Sequence, residues 1–567
     1  MRLPPDQRRL VAALVQLFDA ADVGPTKVLE THISYVLLTG AHAYKIKKAV
    51  EFPFVDFRTL DARRLFCEQE LRLNRRLAPG LYVDVVAITG TEHAPALNGG
   101  GPAIEYAVKM REFPQDALAS ALLERGELAT ADIDALARTI ADFHQAIHVA
   151  TPEGGHGTPA GILRLALQNV AEIDRLATSE ADHMRVAQLR AWTEREHSLR
   201  EDVLQRRLEQ GFVRECHGDL HLGNIARVHD ELVVFDGIEF NDELRWIDTM
   251  SEIAFTVMDL EDRGRADLAH RFQNAYLERT GDYAGLGVLS FYLVYRALVR
   301  AKVTLLQAAR EERSAATSMS QGECATSVSR GERAASMSRG QCAASMSQEA
   351  SDYLALAAKY AGFARPALII TCGLSGSGKT TVSQALLERI GAVRVRSDVE
   401  RKRMRGMSPL SRSSGDVDEG LYAPAETRAT YERVRELART IVEAGRTVVV
   451  DASFLRRSQR ESFRALAAEL GVPFGLLALE APQATLRERI CKRRAANSDA
   501  SDADLAVLAH QIATYEPLTA DERVCAIDGA AVLEFCALAS ATCKGRETQW
   551  PWNLYPACPL GADCGSD

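Results

Sequence analysis

The sequence lacks several features that would each indicate a particular class of protein. No uninterrupted apolar run approaches about 18 residues, the length that a membrane-spanning helix needs, so we expect no membrane partner. Positive charge is not in excess, because 68 Lys and Arg stand against 77 Asp and Glu, for a net charge of −9. Proteins that grip nucleic acid over a whole surface are basic. The composition therefore disfavours a nucleic-acid partner, except through a local patch.

The 11 cysteines lack the spacing of a disulfide framework. Most occur singly in apolar or motif contexts, which is typical of reduced, buried thiols in the cytoplasm. The final stretch, 531–567, also lacks the short CxxC pair that structural zinc sites use, so we predict an atypical Cys/Trp/Pro tail there. The cysteines on which these two interpretations rest are Cys67, Cys216, Cys372 and Cys491, and, in the tail, Cys536, Cys543, Cys558 and Cys564.

What remains is the composition of a large globular protein. The chain has 567 residues, of which 47% are apolar and 26% charged, enough for several domains of roughly 150 residues. Near the N-terminus Arg8 and Arg9 precede an apolar stretch in which Leu10, Leu14 and Leu17 recur at helical spacing. This pattern favours an amphipathic first helix over a signal peptide, which agrees with a cytoplasmic location.

One internal segment has few large apolar residues. From Ser318 a nine-residue repeat reads SMSQGECAT, SVSRGERAA and SMSRGQCAA, followed by the fragment SMSQEA. Ser, Ala and Gly cannot build a core, and the repeat lacks the Asp of calcium-binding β-helix repeats. We therefore predict a flexible insert at 314–349, which separates a domain at 1–310 from a second domain at 350–530.

The second domain opens with a phosphate-binding motif. The apolar run at 367–372 leads into GLSGSGKTT, which fits GxxxxGK[ST] (Walker A), and a helical pattern follows. Inward-turned backbone N–H groups and a helix N-terminus bind phosphate, so the motif predicts an ATP site with Mg²⁺ on Thr380. The residues expected to bind the nucleotide are Gly373, Ser375, Gly376, Ser377, Gly378, Lys379, Thr380 and Thr381.

Two carboxylates follow strand-like runs in this domain. Asp398 ends the run at 392–397, where it could accept the proton of a substrate hydroxyl, and it could also cap a helix. Asp451 ends the buried run at 447–450 and suits a magnesium ligand. Further on, five of eight residues at 487–494 are basic. We expect Arg487 and Arg493 to close over the phosphates as a lid, the alternative being a solvated helix face.

This order of loop, Asp, second Asp and basic lid resembles the small P-loop kinases. They include the polynucleotide-kinase and gluconate-kinase type, zeta-toxin-like kinases and chloramphenicol phosphotransferase. The resemblance covers about 365–530. It implies a parallel sheet flanked by helices and phosphoryl transfer to a hydroxyl, without choosing among these substrates.

A different constellation stands in the first domain. His217-Gly-Asp219 is followed by Asn224, and Asp236 ends the next apolar strand. An Asp, an Asn five residues later and a second Asp after a hairpin is the spacing of kinase chemistry. Asp219 would orient or deprotonate the acceptor hydroxyl, while Asn224 and Asp236 would hold Mg²⁺. His144 and His217 are expected to be structural.

Upstream residues supply the expected phosphate contact. Lys45 and Lys47 lie on one face of a predicted strand, because side chains alternate along a strand. We expect Lys45 to reach the phosphates, with Lys47 as the alternative. A predicted helix follows, in which Glu70 would orient the lysine, with Glu68 as the alternative.

The pattern HGDxxxxN followed by FDG resembles the aminoglycoside phosphotransferase and choline kinase branch of the kinase fold. The whole chain resembles a bacterial two-domain architecture that joins such a domain to a P-loop kinase domain. The resemblance implies an α+β bilobal kinase-like fold followed by an α/β P-loop fold. It also implies an ATP-dependent phosphotransferase with two nucleotide sites, acting on a small hydroxylated molecule with Mg²⁺. The alternatives are a regulatory protein with one catalytic and one ATP-sensing domain, and a nucleic-acid 5′-hydroxyl kinase.

Overall fold

The chain forms two compact units. The computed structural model describes residues 7–20, 25–52, 55–177, 179–320, 339–362, 365–409, 411, 423–496, 501, 503–524 and 526–528. The first unit comprises Met1–Asp262 with Phe291–Ala358, and the second comprises Arg263–Ser290 with Lys359–Asp567. The second unit thus includes residues 263–290, which come well before the phosphate loop in sequence. The predicted tail and residues 321–338 of the predicted insert lie outside the described residues.

The first unit begins with an antiparallel sheet and continues with helices. Its elements up to residue 262 are α1 (Gln7–Asp19), β1 (Lys27–Glu30), β2 (Ser34–Leu38), β3 (His42–Lys47), β4 (Glu51–Phe52), β5 (Val55–Asp56), α2 (Leu60–Asn74), β6 (Tyr82–Thr91), β7 (Ala94–Leu97), β8 (Ala103–Arg111), α3 (Ala119–Glu124), α4 (Thr130–Ala146), α5 (Pro159–Leu176), α6 (Glu180–Glu209), β9 (Val213–Glu215), β10 (Ile225–Val228), β11 (Glu231–Val234), α7 (Asp242–Arg245), β12 (Trp246–Asp248) and α8 (Thr249–Asp262). The main sheet has the strand order β1-β2-β3-β8-β6-β7. β3 is therefore internal, between β2 and β8, which fixes the lysines that it carries.

The predicted amphipathic first helix is confirmed. In α1, Leu10, Val11 and Leu14 are buried against a core that includes Tyr35 and Tyr44 of the sheet. Leu17 remains 40% exposed, so the apolar stripe is narrower than the sequence spacing suggested. The burial places this helix in the core of the first unit.

The loop that carries the HGD motif lies between two short antiparallel ribbons. β9 pairs with β12 and β10 pairs with β11, and the segment between β9 and β10 carries the HGD motif. α8 follows β12 and is buried at every position from Thr249 to Leu260. A helix buried on all faces forms the centre of a core, so it offers a rigid support for the loop beside it.

The rest of the chain begins with three helices, and strands interspersed with helices follow. Its elements are α9 (Ala266–Thr280), α10 (Leu286–Ser320), α11 (Arg339–Tyr360), β13 (Leu368–Cys372), α12 (Lys379–Ile390), β14 (Val393–Arg396), α13 (Ser397–Met404), α14 (Pro424–Glu443), β15 (Val448–Asp451), α15 (Arg457–Glu469), β16 (Phe474–Ala478), α16 (Gln483–Ala496), α17 (Leu505–Thr514), α18 (Ala520–Val524) and β17 (Ala526–Asp528). The second unit has a parallel sheet of order β14-β15-β13-β16-β17. The predicted buried strands before the phosphate loop and before Asp451 are confirmed as β13 and β15.

Two observations modify expectations from the sequence. Helix Tyr283–Ala309 is long and apolar enough to cross a membrane by length and composition, although charged residues interrupt its apolar run. Its most apolar window is 67% buried within the fold, as in the core helix of a globular protein. In addition, α10 extends to Ser320 and α11 begins at Arg339, so both ends of the predicted insert are helical where the structure describes them.

The prediction of buried thiols is confirmed for three of the four cysteines that it named outside the tail. Cys67, Cys216 and Cys372 are free and buried. Cys491 is exposed, so the prediction of a buried thiol is wrong there. Its neighbour Ile490 takes the inward-facing position on α16, which turns Cys491 towards solvent.

Candidate active sites

The first candidate site is built on two buried lysines of β3. Lys45 Nζ lies 2.9 Å from Glu70 Oε1 and contacts Asp236, while Lys47 Nζ lies 2.7 Å from Glu70 Oε2 and contacts Glu239. Glu70 on α2 therefore bridges both lysines. Its pKa is lowered to about 2, because Lys45 and Lys47 outweigh the opposing effect of burial. Glu239 is a member of this cluster that the sequence analysis missed.

Only one end of this cluster reaches solvent. The Lys47 side chain is 0% exposed and Glu239 is 3% exposed, whereas Asp236 is 43% exposed beside Lys45. A ligand can therefore approach Lys45 and Asp236, while the other pair is sealed inside. The alternative Glu68 pairs with Arg64 at 2.9 Å on the surface and is remote from these lysines.

The segment around Asp236 is tied to α2 by its backbone. The N–H of Gly237 donates to Asn74 Oδ1 at 2.7 Å, and the N–H of Asp236 lies 3.1 Å from the hydroxyl of Tyr82. Asp236 itself has φ = 61°, a left-handed backbone conformation that residues other than glycine adopt only at a cost in conformational energy. Asn74 is one turn beyond Glu70 on α2. This one helix therefore positions both the lysines, through Glu70, and Asp236, through Asn74.

The HGD loop brings Asp219 and Asn224 together. Asn224 Nδ2 donates to Asp219 Oδ2 at 2.9 Å, and His221 Nε2 lies 3.4 Å from the same carboxylate oxygen. Burial by itself would raise the pKa of Asp219. The charges and hydrogen bonding of His221, His217 and Arg296 outweigh it and hold the pKa well below its usual range. Asp219 is therefore ionised at neutral pH and able to accept a hydrogen bond.

Helix α8 anchors this loop through two carboxylates that the sequence analysis did not single out. Glu252 accepts the N–H groups of His217 at 2.8 Å and Gly218 at 3.0 Å, and Asp259 accepts the N–H of Leu222 at 2.8 Å. The His217 ring lies 2.9 Å from the carbonyl oxygen of Phe235, the residue before Asp236. Buried backbone groups are thus satisfied on both sides of Asp219, so the loop is held in one conformation.

The second candidate site is the loop between β13 and α12. Gly373, Gly376 and Gly378 all have positive φ, and a Cβ atom on Gly373 would lie 2.4 Å from the carbonyl oxygen of Leu479. Lys379 begins α12, and its Nζ donates to the carbonyl oxygens of Gly373 at 3.0 Å and Leu374 at 2.9 Å. The loop therefore curls around its own lysine, as a phosphate cradle requires.

A buried polar atom in this loop fits a phosphate ligand. Within the described part of the chain, Ser377 Oγ is buried and has no hydrogen-bond partner. Buried hydroxyls are rarely left in this state, and a phosphate oxygen would satisfy it. The N–H of Ser375 donates to Gln511 Oε1 at 2.8 Å, so one loop amide is occupied by α17.

Two carboxylates reach the same edge of the parallel sheet. Asp451 ends β15, and its Oδ2 lies 3.3 Å from Ser383 Oγ, while Asp398 follows β14 and pairs with Arg401 at 2.8 Å. Burial lowers the pKa of Lys379, and the charges of Asp451 and Asp398 only partly oppose this effect. Lys379, Asp398 and Asp451 line one cavity of about 590 Å³, together with Thr380 and Thr381.

Helix α16 contributes arginines to this cavity, although not both of the predicted ones. Arg489 and Arg493 line it, with Arg489 Nη1 3.2 Å from the carbonyl oxygen of Gly376. Arg487 is exposed and is not among the lining residues. Two positions along a helix correspond to roughly half a turn, so Arg487 and Arg489 point in nearly opposite directions.

Comparisons with known proteins agree with this arrangement. The family model described as "Phosphotransferase enzyme family" matches residues 56–289, and the one described as "AAA domain" matches residues 368–518. The uncharacterized proteins Rv2004c of Mycobacterium tuberculosis and Mb2027c of Mycobacterium bovis are 30% identical to the chain over 489 residues. These cover 86% of this chain and 90% of theirs. The chain belongs to the same family as these mycobacterial proteins.

Several solved structures that resemble part of the chain are kinases. A choline/ethanolamine kinase family protein of Mesorhizobium loti is 13% identical, with a TM-score of 0.34, over 62% of this chain and 98% of its own. A gluconokinase of Sinorhizobium meliloti is 22% identical, with a TM-score of 0.22, over 31% of this chain and 92% of its own. These low scores add no weight to the family matches, which by themselves confirm the predicted fold class. The chain therefore joins a domain of the phosphotransferase enzyme family to a P-loop domain, which supports phosphoryl transfer as its activity.

Proposed function

We propose that the chain is an ATP-dependent phosphotransferase with two nucleotide sites, each transferring the γ-phosphoryl group to a hydroxyl of a small molecule in the cytoplasm. One observation carries the proposal. Each compact unit holds its own lysine beside its own carboxylates: Lys45 contacts Asp236 in the first, and Lys379 shares a cavity with Asp398 and Asp451 in the second. Neither set depends on a residue of the other.

In the first site, Lys45 would bind the α- and β-phosphates, and Glu70 would hold that lysine in position. Asn224 and Asp236 offer the amide and carboxylate oxygens that suit Mg²⁺. Asp219 would orient the acceptor hydroxyl and take its proton, a role that the depressed pKa of this carboxylate supports through its ionised state.

In the second site, the N–H groups of the loop at 373–381 and Lys379 would bind the β- and γ-phosphates. Ser377 supports this role, because its buried hydroxyl has no partner among the described residues. Thr380 and Asp451 would hold Mg²⁺, which neutralises phosphate charge when bound. Asp398 would accept the proton of the hydroxyl, and Arg493, with Arg489 in place of Arg487, would lie over the phosphates.

Nucleotide stoichiometry tests the proposal. Isothermal calorimetry with a non-hydrolysable ATP analogue and Mg²⁺ should give two nucleotides per chain for the unchanged protein. It should give one for Lys379→Ala and one for Asp236→Ala, because each change removes a charged group from one site only. The exposed Asp230→Ala serves as the control and should retain two.

A different stoichiometry would favour another function. A value of one that Lys379→Ala abolishes would mean that the first unit binds no nucleotide. The two-site proposal would then be wrong, and the second unit alone would use ATP.

A further inference from the structure

We propose that the acceptor of the second site is itself an anion: a small molecule that carries a carboxylate or phosphate group in addition to the hydroxyl that is phosphorylated. This inference rests on the proposed function of the second site. It concerns the part of the cavity that the nucleotide phosphates would leave open.

The cavity wall has a strong excess of positive charge. Among its described lining residues are the carboxylates Asp398 and Asp451, and seven cationic side chains: Lys379, Arg396, Arg401, Arg428, Arg456, Arg489 and Arg493. A concave wall of one sign focuses the electrostatic potential and concentrates ligands of the opposite sign. ATP carries negative charge of its own, so the question is which of these cations remain for the acceptor.

The strand order divides the cavity into two ends. At the loop end, the phosphate loop follows the central strand β13, and Arg489 contacts Gly376 of that loop. Arg493 lies one turn beyond Arg489 on the same helix. These two arginines and Lys379 are therefore the cations placed for the triphosphate.

The other end, which we call the acceptor end, is formed by residues of α14 and of the loop that follows β15. Two arginines belong to it: Arg428 in the first turns of α14, and Arg456 directly before α15. Tyr431 of α14 also lines this end, and its hydroxyl lies 3.4 Å from Ser453 Oγ, just beyond β15. Asp398 and Asp451 line the same cavity as these side chains.

The other cations at this end are already balanced. Arg401 pairs with Asp398 at 2.8 Å, and Arg396 pairs with Glu278 at 3.4 Å. No carboxylate of the described residues pairs with the guanidinium group of Arg428 or Arg456. Two guanidinium groups on one wall can bind a carboxylate or phosphate through paired N–H donors, which gives both affinity and orientation.

Helix dipoles reinforce the acceptor end. Lining residues come from the first turns of both α14 and α15, so the positive ends of two helices of 20 and 13 residues meet there. α14 has no side-chain cap at its N-terminus. In α15 the N–H of Arg457 donates to Glu516 at 2.6 Å, so that helix keeps only part of its free donors.

The anionic group would bind without reacting. The hydroxyl oxygen of the acceptor forms the new bond to the γ-phosphorus of ATP, and the bond from that phosphorus to the bridging oxygen of ADP breaks. The hydroxyl proton passes to Asp398. The carboxylate or phosphate of the acceptor stays on Arg428 and Arg456 and aims the hydroxyl, which is how remote binding energy is used for catalysis.

Matched acceptors test the inference on the full-length chain carrying Asp219→Asn, so that the second site accounts for ADP release. The probes are glucose against gluconate, and ribose against ribose 5-phosphate. We expect at least a 10-fold higher kcat/KM for the charged member of one pair, and the pair concerned identifies carboxylate or phosphate as the group bound. Arg428→Gln and Arg456→Gln should each raise the KM for that acceptor about 10-fold and leave the KM for ATP unchanged.

The outcomes separate this inference from the proposed function. Arg487→Gln is the matched control, since Arg487 is exposed and outside the cavity wall. Equal or better use of the neutral sugars would overturn the anionic acceptor while leaving the kinase function intact. Failure of every charged probe in a protein that still binds ATP through Lys379 would overturn it too, as would phosphorylation of 5′-hydroxyl oligonucleotides alone. Loss of ATP binding itself would instead refute the proposed function.

Discussion

Single buried charges decide which side chains of the first site can meet a ligand. Lys45 and Lys47 lie on the same face of β3, and both contact Glu70. The sequence therefore could not separate them. The difference comes from Glu239, which contacts Lys47 and is sealed with it inside the unit. A buried ion pair that is satisfied on every side has no capacity left for phosphate, so Lys45, which contacts the more exposed Asp236, remains the better candidate.

His144 shows how one buried residue makes stability depend on pH. Burial lowers the pKa of His144 to about 3 from 6.5, and the charge of Arg214 adds to the effect. The unfolded chain takes up a proton below about pH 6.5, whereas the folded chain does not until about pH 3. The part of the folding stability that depends on a neutral His144 is therefore fully present above pH 6.5 and is lost as the pH falls towards 3.

We predict that the free energy of unfolding falls by about 2 kcal/mol between pH 7 and pH 5, and that this fall depends on the His144 side chain. Urea unfolding at the two pH values should show a smaller change in the free energy of unfolding for His144→Gln than for the unchanged protein. His93→Gln is the control, because the side chain of His93 is 71% exposed. An identical pH dependence in His144→Gln would exclude His144 as the source.

At the scale of elements, the strand ends that carry chemistry were the most predictable part. Apolar runs that end in Asp, Gly or a charged motif indicated β13, β14 and β15, and parallel strands bring their ends to one edge. It was harder to predict which face of α16 is turned towards the protein, because basic residues at 487–494 occur on every face. Leu486 and Ile490, buried four residues apart, were the signal that fixes the phase and that the sequence analysis did not use.

The orientation of α16 predicts different effects for substitutions on its two sides. Arg489→Gln and Arg493→Gln should lower kcat of the second site by roughly 10-fold or more, because each removes a charge placed for the phosphates. Arg487→Gln, on the opposite side of the helix, should leave kcat within about twofold of the unchanged protein. ADP release in the Asp219→Asn background measures all three. A larger loss in Arg487→Gln than in the other two would reverse the assignment.

At the scale of the whole molecule, the compact units do not follow sequence order. The phosphotransferase family match extends to residue 289, yet residues 263–290 belong to the second unit. Within that unit α9 packs on α12 and β14: Arg271 pairs with Glu388 at 2.6 Å, and Glu278 pairs with Arg394 at 3.3 Å. The local sequence pattern of α9 does not indicate these partners, because they lie more than a hundred residues away and are brought close only by tertiary packing.

Asn274 of α9 makes this organisation testable. Its side-chain oxygen accepts the N–H of Arg394 at 2.7 Å in a buried position on β14, an edge strand of the parallel sheet. Asn274→Ala in the full-length chain would leave that N–H without its acceptor, at a cost of about 1–3 kcal/mol. Hydrogen exchange should then become faster for the amides of β14 and stay unchanged for β10. Asp267→Ala on the same helix, where Asp267 pairs with Arg265 near the surface, should change neither strand. Because β14 leads directly into Asp398, we also expect slower turnover at the second site. Unaltered protection of Arg394 in Asn274→Ala would mean that the P-loop sheet does not depend on this contact with α9.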